Sequence, residues 1–549
     1  MVLAVRGVET ISRDVGSAAD GVPHSEARAR GNRAGGYLLW HHAAMAVAEG
    51  LVSVRRIPGI SRGVRPAAVC GVAGAVAGGL LFLVAHRGFS DDAYITLDYA
   101  RNLAFHGHWG VVPSLTANTA TSPLNVGLLA AITAVVREPV LAVGLLLMAT
   151  TAASAVWLLR IAEITGLSRR LLPTLGVGLL LSSPLLASTV GLETYLCAAL
   201  FIGLVRYALA GRWLATGIVG GLLILGRPDL AVVDVVVVLT GAAARRRALR
   251  SGLVAVVVAA PWYLLSWSVL GSVLPDTFFL KTHDVHGWVG FHFASGPLWY
   301  LRVLPLASAL TLLAAGCGLV SMVSWAVLAV RHRGVVSTDA GQAAVAFGLG
   351  GIGHAVVFAS LGTPPSHWYY GPVLTGLSLC SVLTALIVVR TDRAISPRGV
   401  VALGSVSLVI LAAAGYDIAR GVPWESAPIY TNWATRAEYQ RIAEDISRMT
   451  PGATVVSPSE VGTLAYFCNC ELVDFISDPG RTEQDIAHHM QQSGPLMRQL
   501  LKLNYIHHVP ASPKPAEFAF VWEKTCVNAI GEWRTPHWSN NLCLKNVAS

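Results

Sequence analysis

Apolar residues fall in long, nearly unbroken runs, and polar residues gather in the short stretches between them. A helix rises about 1.5 Å per residue and a bilayer core is about 30 Å thick, so about 20 such residues predict a membrane-spanning helix. Runs of this kind lie near residues 67–86, 140–159, 171–189, 194–211, 213–226, 230–242, 251–270, 303–330, 341–361, 371–389 and 399–416. The pattern therefore predicts about eleven transmembrane helices. Two of the runs, 213–226 and 230–242, are short and are split only by Arg227-Pro228-Asp229. A further stretch, 122–136, opens on Ser122-Pro123 and stops at Arg137-Glu138-Pro139. Its length suits a re-entrant or interfacial segment as well as a crossing.

Arginine decides between those options, because basic residues flanking spans prefer the cytoplasm. With the N-terminus inside and 122–136 not counted, one side receives every Arg cluster: Arg160, Arg169 and Arg170; Arg212; Arg245, Arg246, Arg247 and Arg250; Arg331 and Arg333; Arg390, Arg393 and Arg398. Counting 122–136 as a span would place all of them outside. The expectation is eleven spans over 66–416, a first outer loop at 87–139 and an extracytoplasmic C-terminus, in a multi-pass plasma-membrane protein.

Composition agrees with a chain solvated by lipid. Hydrophobic residues make up 54% and charged residues only 13% of 549 residues, against about 25% charge in soluble domains. The formal charge of +9 is not spread evenly. Residues 1–65 carry nine Arg and five acids, whereas 417–549 carry eleven Lys or Arg against fourteen acids. The positive excess thus sits in the tail and the membrane part, where sidedness accounts for it without a nucleic-acid partner. Residues 1–65 are Arg- and Gly-rich without the features of a signal peptide, and are expected to be a disordered cytoplasmic tail.

From about 417 the pattern becomes that of a soluble α/β domain, 417–549. Thr435-x-x-Glu438 is a capping box opening a helix through Ile442, Ile446 and Met449, closed by Pro451-Gly452. Strand-like runs follow at 453–457, 470–476 and 518–522, with a second helix over 482–492. Four of the eight cysteines, Cys468, Cys470, Cys526 and Cys543, lie here. Their even number predicts two disulfides in an oxidising compartment. A C-x-C pair is expected to be too close to close on itself, so Cys468 and Cys470 are each expected to join one of Cys526 and Cys543. Zinc is the rival, with poor ligand spacing.

The most informative polar segment follows the first span: Phe89-Ser90-Asp91-Asp92-Ala93-Tyr94, continuing through Asp98 to Arg101-Asn102. Read as a helix, Ala93, Leu97, Ala100 and Ala104 share one face and Asp98 pairs with Arg101. Capping explains one of Ser90, Asp91 and Asp92 but not all three. Two adjacent carboxylates at a lipid boundary repel unless a proton, cation or substrate is shared. Under the same topology other polar residues collect on the outer face: Glu193, Arg227, Asp229, Lys281, His283, Asp284 and His367. Each alone has an ordinary structural account; together they make a candidate pocket for a phosphate and a hydroxylated group.

The aspartate segment resembles the first outer loop of the GT-C polytopic glycosyltransferases. The likeness continues through Thr121-Ser-Pro-Leu124, Gly191-Leu-Glu-Thr194, Gly226-Arg-Pro-Asp229, Leu274-Pro-Asp-Thr277 with Lys281, His367-Trp-Tyr-Tyr370, Glu460-Val-Gly-Thr-Leu-Ala-Tyr466 and Val473-Asp474. It is most similar to actinobacterial arabinofuranosyltransferases of the terminal β-(1→2) type. The resemblance implies a polyprenyl-phosphate sugar donor, decaprenylphosphoryl-arabinose or a mannose counterpart, and a cell-wall or lipid-linked glycan acceptor outside the membrane. It implies Asp91 or Asp92 as general base with the other as orienter; Arg227, Lys281 and His367 at the donor phosphate; and Glu193, Asp229 and Tyr94 at sugar or acceptor. No cofactor is required, although a divalent cation at the aspartate pair is compatible with the chemistry. A transporter predicts midplane charges and internal repeats, and neither is evident; a glycan-binding scaffold would leave the aspartates structural.

Overall fold

The computed structural model describes residues 66–282, 290–331, 337–391, 397–457, 459–535 and 539–547. The expected tail, His283 and Asp284 lie outside the described residues. By its internal contacts the chain divides into Met1–Val69 and Cys70–Ser549; of the first, only the opening of helix α1 is described.

The helices run α1 Pro66–Ala85, α2 Asp91–His106, α3 Pro123–Val136, α4 Pro139–Thr165, α5 Leu171–Ser182, α6 Thr194–Leu209, α7 Trp213–Gly226, α8 Ala231–Thr240, α9 Ala248–Val269, α10 Asp276–Leu280, α11 Gly296–Val303, α12 Pro305–Arg331, α13 Asp339–Leu361, α14 Gly371–Thr391 and α15 Pro397–Ala419. All eleven apolar runs are helical. Seven are long and apolar enough to cross a membrane: α1, α4, α9, α12, α13, His367–Arg390 and Gly399–Ala419. The others are shorter for local reasons. Pro184 cannot donate a helical N–H, so α5 stops at Ser182 and a separate turn follows. Pro228 drives Arg227 into an extended conformation and separates α7 from α8. Large apolar side chains on α1, α9, α12 and α15, among them Val72, Leu253, Val320 and Leu411, are exposed, as lipid-facing helices require. The fold is that of a polytopic α-helical membrane protein with a C-terminal α/β layer.

Two hydrogen bonds join helix ends beside Arg-bearing connections. Arg390 at the end of α14 donates to the carbonyl of Thr165 at the end of α4 (2.7 Å), and the Ala242 amide donates to Gln342 at the start of α13 (2.9 Å).

The C-terminal layer is built from α16 Arg436–Met449, β1 Thr454–Val456, α17 Gly462–Phe467, β2 Glu471–Val473, α18 Pro479–Gln492, α19 Pro495–Asn504, β3 Phe518–Glu523, β4 Gly531–Arg534 and β5 Asn541–Asn546. Its sheet order is β2-β1-β3-β5-β4; β2, β1 and β3 run parallel, and β5 pairs antiparallel with both β3 and β4. The capping box forms: the Thr435 hydroxyl accepts from the Glu438 amide, and the Glu438 carboxylate accepts from the Thr435 amide at 2.7 Å. Strands β4 and β5 and helices α17 and α19 lie beyond the elements expected from the sequence. The layer shares its core with the bundle side. Tyr99, Trp109 and Val126 are buried with Ile442, Ile446, Val455 and Leu472, so α2 serves two cores at once.

The disulfides differ from the expected cross-pairing. Cys468 bonds Cys470, with Cα atoms 5.1 Å apart, and Cys526 bonds Cys543 at 5.5 Å. An extended chain would set residues i and i+2 about 7 Å apart. The bend between the end of α17 and the start of β2 shortens that span into bridging range. The loop after β3 folds back onto β5 and completes the second pair.

Candidate functional site

The site begins where α2 starts. Ser90 holds the N-cap position without a side-chain cap bond, and neither aspartate caps its own helix. Instead Asp91 caps a different one: its carboxylate accepts from the amides of Gly462 (3.0 Å) and Thr463 (2.7 Å), at the N-terminus of α17. Those amides have no intrahelical partner, and the helix dipole favours an anion there. A Cβ at residue 462 would stand 2.2 Å from the Asp91 carbonyl oxygen, so only glycine allows the approach. The Asp91 amide donates to Asn432 (3.2 Å), which donates to Glu460 (3.0 Å). Glu460 also accepts from the Trp433 amide and the Tyr439 hydroxyl. Burial pushes the Asp91 carboxyl up to about 6, with its two amide partners opposing and Asp92 adding to the rise. Glu460 is pushed up to about 8 by burial and then by the Asp91 charge.

Tyr94, expected at sugar or acceptor, is fully buried between Phe89, Tyr466 and Phe467, with the Tyr466 ring 5.1 Å away. Arg101 donates to the Tyr466 carbonyl (2.8 Å) and pairs with Asp98 (2.7 Å). One face of α2 is therefore spent on docking α17.

Asp92 faces elsewhere. Half-buried, it makes no side-chain hydrogen bond or ion pair with another residue among the described residues. Burial raises its carboxyl, Lys281 pulls it partly back and Glu193 adds to the rise. Lys281 follows α10, whose position is fixed by the Asp276 amide donating to the Asn118 carbonyl (2.9 Å) and the Thr277 hydroxyl donating to the Thr119 carbonyl (2.8 Å). Thr119 in turn donates to the Ile476 carbonyl (2.8 Å) and meets the Tyr99 hydroxyl at 2.7 Å. Burial lowers the Lys281 ammonium, but Tyr369 and Asp92 more than offset it and leave it raised. Asp474 also faces Lys281; it accepts from the amides of Ile476 (2.8 Å) and Ser477 (2.9 Å), and burial pushes it up to about 6.

Glu193 reaches this corner through Gly191. That residue has φ +104, and a Cβ there would lie 2.7 Å from the Ala93 Cβ, so the turn before α6 can press onto α2 beside Asp92. Glu193 is itself engaged: Arg227 donates to it at 2.8 Å and to Asp229 at 3.0 Å. The guanidinium lies 5.1 Å from the Tyr369 ring centre, and Asp229 pairs with His354 at 2.8 Å. Glu193, Arg227 and His354 are buried, and the Asp229 side chain is 5% exposed. His354 was not singled out from the sequence; the signal was available, because an imidazole in the middle of the apolar run 341–361 demands a partner.

Arg227 thus pairs with Glu193 and Asp229, and Asp229 with His354, while Lys281 is linked electrostatically to Asp92, Arg227 and Asp474 and Asp92 to Glu193. The structure sets Asp91 and Tyr94 into the contact with α17. His367 lies apart: its buried ring packs against Trp368 (4.9 Å), with the Ser188 backbone as polar neighbour. Asp91 is committed to backbone amides, and Lys281 supplies positive charge in the field of Asp92.

No protein-family model and no curated protein matches the chain. Among solved structures it resembles the oligosaccharyltransferase of Archaeoglobus fulgidus, with a TM-score of 0.51 and 13% identity over 82% of this chain and 67% of that one. At that identity the likeness is one of fold. ArnT from Cupriavidus metallidurans is similar at a TM-score of 0.47 and 17% identity, covering 87% of this chain and 98% of that one. The mycobacterial arabinofuranosyltransferase AftD is similar at 0.44 and 13%, covering 87% of this chain but 40% of that one.

Proposed function

We propose that the chain is an inverting membrane glycosyltransferase that moves a sugar from a polyprenyl-phosphate donor to a glycan hydroxyl on the extracytoplasmic side. Support comes from the fold and from one observation above the others: the Asp92 carboxylate, without an ion-pair partner among the described residues, lies in the electrostatic field of Lys281, while Asp91 and Arg227 already have their partners. A carboxylate whose pKa is raised by burial is suited to take the acceptor proton as the oxygen attacks the anomeric carbon. The anomeric carbon–oxygen bond to phosphate then breaks, and the leaving phosphate gains charge that an adjacent ammonium stabilises.

In this reading Asp92 is the general base and Lys281 the phosphate partner. Asp91 is a positioning residue that fixes the first turn of α2 against α17. Glu193, Arg227 and Asp229 form the wall behind the reacting groups, and their outward edges orient donor hydroxyls. Tyr94 and His367 support the site by packing. Arabinofuranose is the proposed sugar on the sequence resemblance, with mannose as the alternative, and no divalent cation is invoked.

The test is transfer by purified protein from radiolabelled polyprenyl-phosphate arabinose and polyprenyl-phosphate mannose, offered in parallel with glycan acceptors. Labelled glycan from the arabinose donor is expected, and label from mannose alone would replace the sugar. Label from neither donor, with folded protein, would remove the enzymatic reading.

A further inference from the structure

The C-terminal layer carries a helix that the sugar-transfer chemistry does not use. In α19, Leu496, Leu500 and Leu503 recur at i, i+4 and i+7, so they share one face. That face is open: the three side chains are 71%, 51% and 57% exposed, and Ile506 and Val509 beyond the helix end are 59% and 79% exposed. A second face, with Leu501 and Asn504, is buried in the layer. The third is polar, with Arg498 donating to the carbonyls of Met490, Gln491 and Ser493, and Lys502 exposed beside it. A soluble helix buries its apolar stripe. This one buries a neighbouring stripe and leaves three leucines outside.

What covers them follows from where the helix is tied. Trp267, near the end of the spanning helix α9, donates to the Leu503 carbonyl at 3.0 Å, and its ring packs on His507 at 5.0 Å. The Leu274 amide, on the link from α9 to α10, donates to the Asn504 side chain at 2.9 Å. Gly271, at φ +87, lets that link lie against His508, whose Cα would stand 3.2 Å from a Cβ there. Tyr505 closes the contact with its hydroxyl 3.1 Å from the Asp276 carboxylate. The leucines are therefore moored at the end of a helix whose own flank, Leu264, Leu265 and Val269, is exposed apolar surface facing lipid. Trp267 and Tyr505, each apolar with one polar tip, are the residues favoured at such a boundary.

We infer that α19, with Ile506 and Val509, is an interfacial membrane anchor whose leucine face enters the outer lipid boundary beside α9, with Lys502 at headgroup level. The anchor fixes the height of the C-terminal layer above the bilayer, and with it α10 and Lys281, through the contacts of Leu274, Tyr505 and Asp276. This holds whether or not the sugar-transfer reading is correct, since it requires only that α9 span the membrane.

The test uses the full chain in liposomes of phosphatidylcholine and phosphatidylglycerol. Cys317, the one exposed free cysteine among the described residues, is first replaced in a Cys317→Ser background. Nitroxide labels are then placed by Leu500→Cys or Leu503→Cys, and by Glu444→Cys on the exposed side of α16. Collision with oxygen, which concentrates in lipid, is compared with collision with a water-soluble nickel chelate. At both leucine positions the oxygen-to-nickel ratio is expected to exceed that at residue 444 at least threefold. A ratio equal to that at residue 444 overturns the anchor by placing the face in water. Protection from both reagents also overturns it, by showing protein cover such as a second copy.

Discussion

The pairing of Asp91 with the first turn of α17 gives a prediction in which two substitutions at one residue separate. Asp91→Ala removes both acceptors and leaves the Gly462 and Thr463 amides buried without partners. At about 1–3 kcal/mol per unsatisfied group, that loss is about 2–6 kcal/mol. Removing the carboxylate also returns something. A carboxyl raised from 3.8 to about 6 carries an ionisation cost at pH 7.5, roughly 3 kcal/mol at about 1.4 kcal/mol per unit. Asp91→Asn removes that cost and keeps one oxygen acceptor, so it is expected to fall within about 1 kcal/mol of the parent. Asp91→Ala is expected to be less stable by up to about 3 kcal/mol after the partial offset. The assay is limited proteolysis of the C-terminal layer in detergent at pH 7.5, with thermal unfolding alongside. Faster cleavage is expected for Asp91→Ala and near-parent resistance for Asp91→Asn. The reasoning fails if Asp91→Ala is as resistant as the parent, or if the asparagine variant is the weaker of the two.

Arg227→Met leaves Glu193 and Asp229 as buried carboxylates without their shared cation, and is expected to cost about 3–5 kcal/mol; thermal unfolding in detergent checks this, and a loss under 1 kcal/mol would contradict it. Glu460 holds its proton to about pH 8 when folded and to about 4.5 when free, so the folded state binds more protons between those values. Stability is expected to fall as pH rises through that window and then level off. Melting curves from pH 5 to 9 should show that slope, and Glu460→Gln should flatten it. Peptide mapping without reductant is expected to find Cys468 bonded to Cys470 within one peptide and Cys526 joined to Cys543 across two; any peptide linking 468 or 470 to 526 or 543 would contradict the fold of the loop after β3.

The helical part of the chain was readable from the sequence because lipid imposes a simple rule, and each of the eleven apolar runs became a helix. The break at Arg227-Pro228-Asp229 was expected and is present, whereas run length did not show that 171–189 breaks at Pro184. The amphipathic faces of α2 and the capping box at Thr435 were legible as local patterns. The partition of labour between Asp91 and Asp92 was not, since it depends on α17, more than 360 residues away in sequence. The same limit hid the partners of Arg227. Its link to Asp229 is two residues long and easily foreseen, whereas Glu193 and His354 arrive from other helices. The Cys468–Cys470 pairing was not legible, because it depends on the bend of the backbone between them. Strands β4 and β5 escaped notice because Gly531–Arg534 and Asn541–Asn546 are short and only partly apolar.

The central claim is that Asp92, in the electrostatic field of Lys281, takes the acceptor proton. Single-turnover sugar transfer by Asp92→Asn protein, measured from pH 5 to 9 with donor binding followed separately, tests it most directly. For the parent the rate is expected to climb with pH as the raised carboxyl of Asp92 ionises and then to level off. The asparagine variant is expected to bind donor normally, lose about 10²–10⁴ in rate and show no such rise. Transfer within threefold of the parent, with the same pH profile, would contradict the assignment.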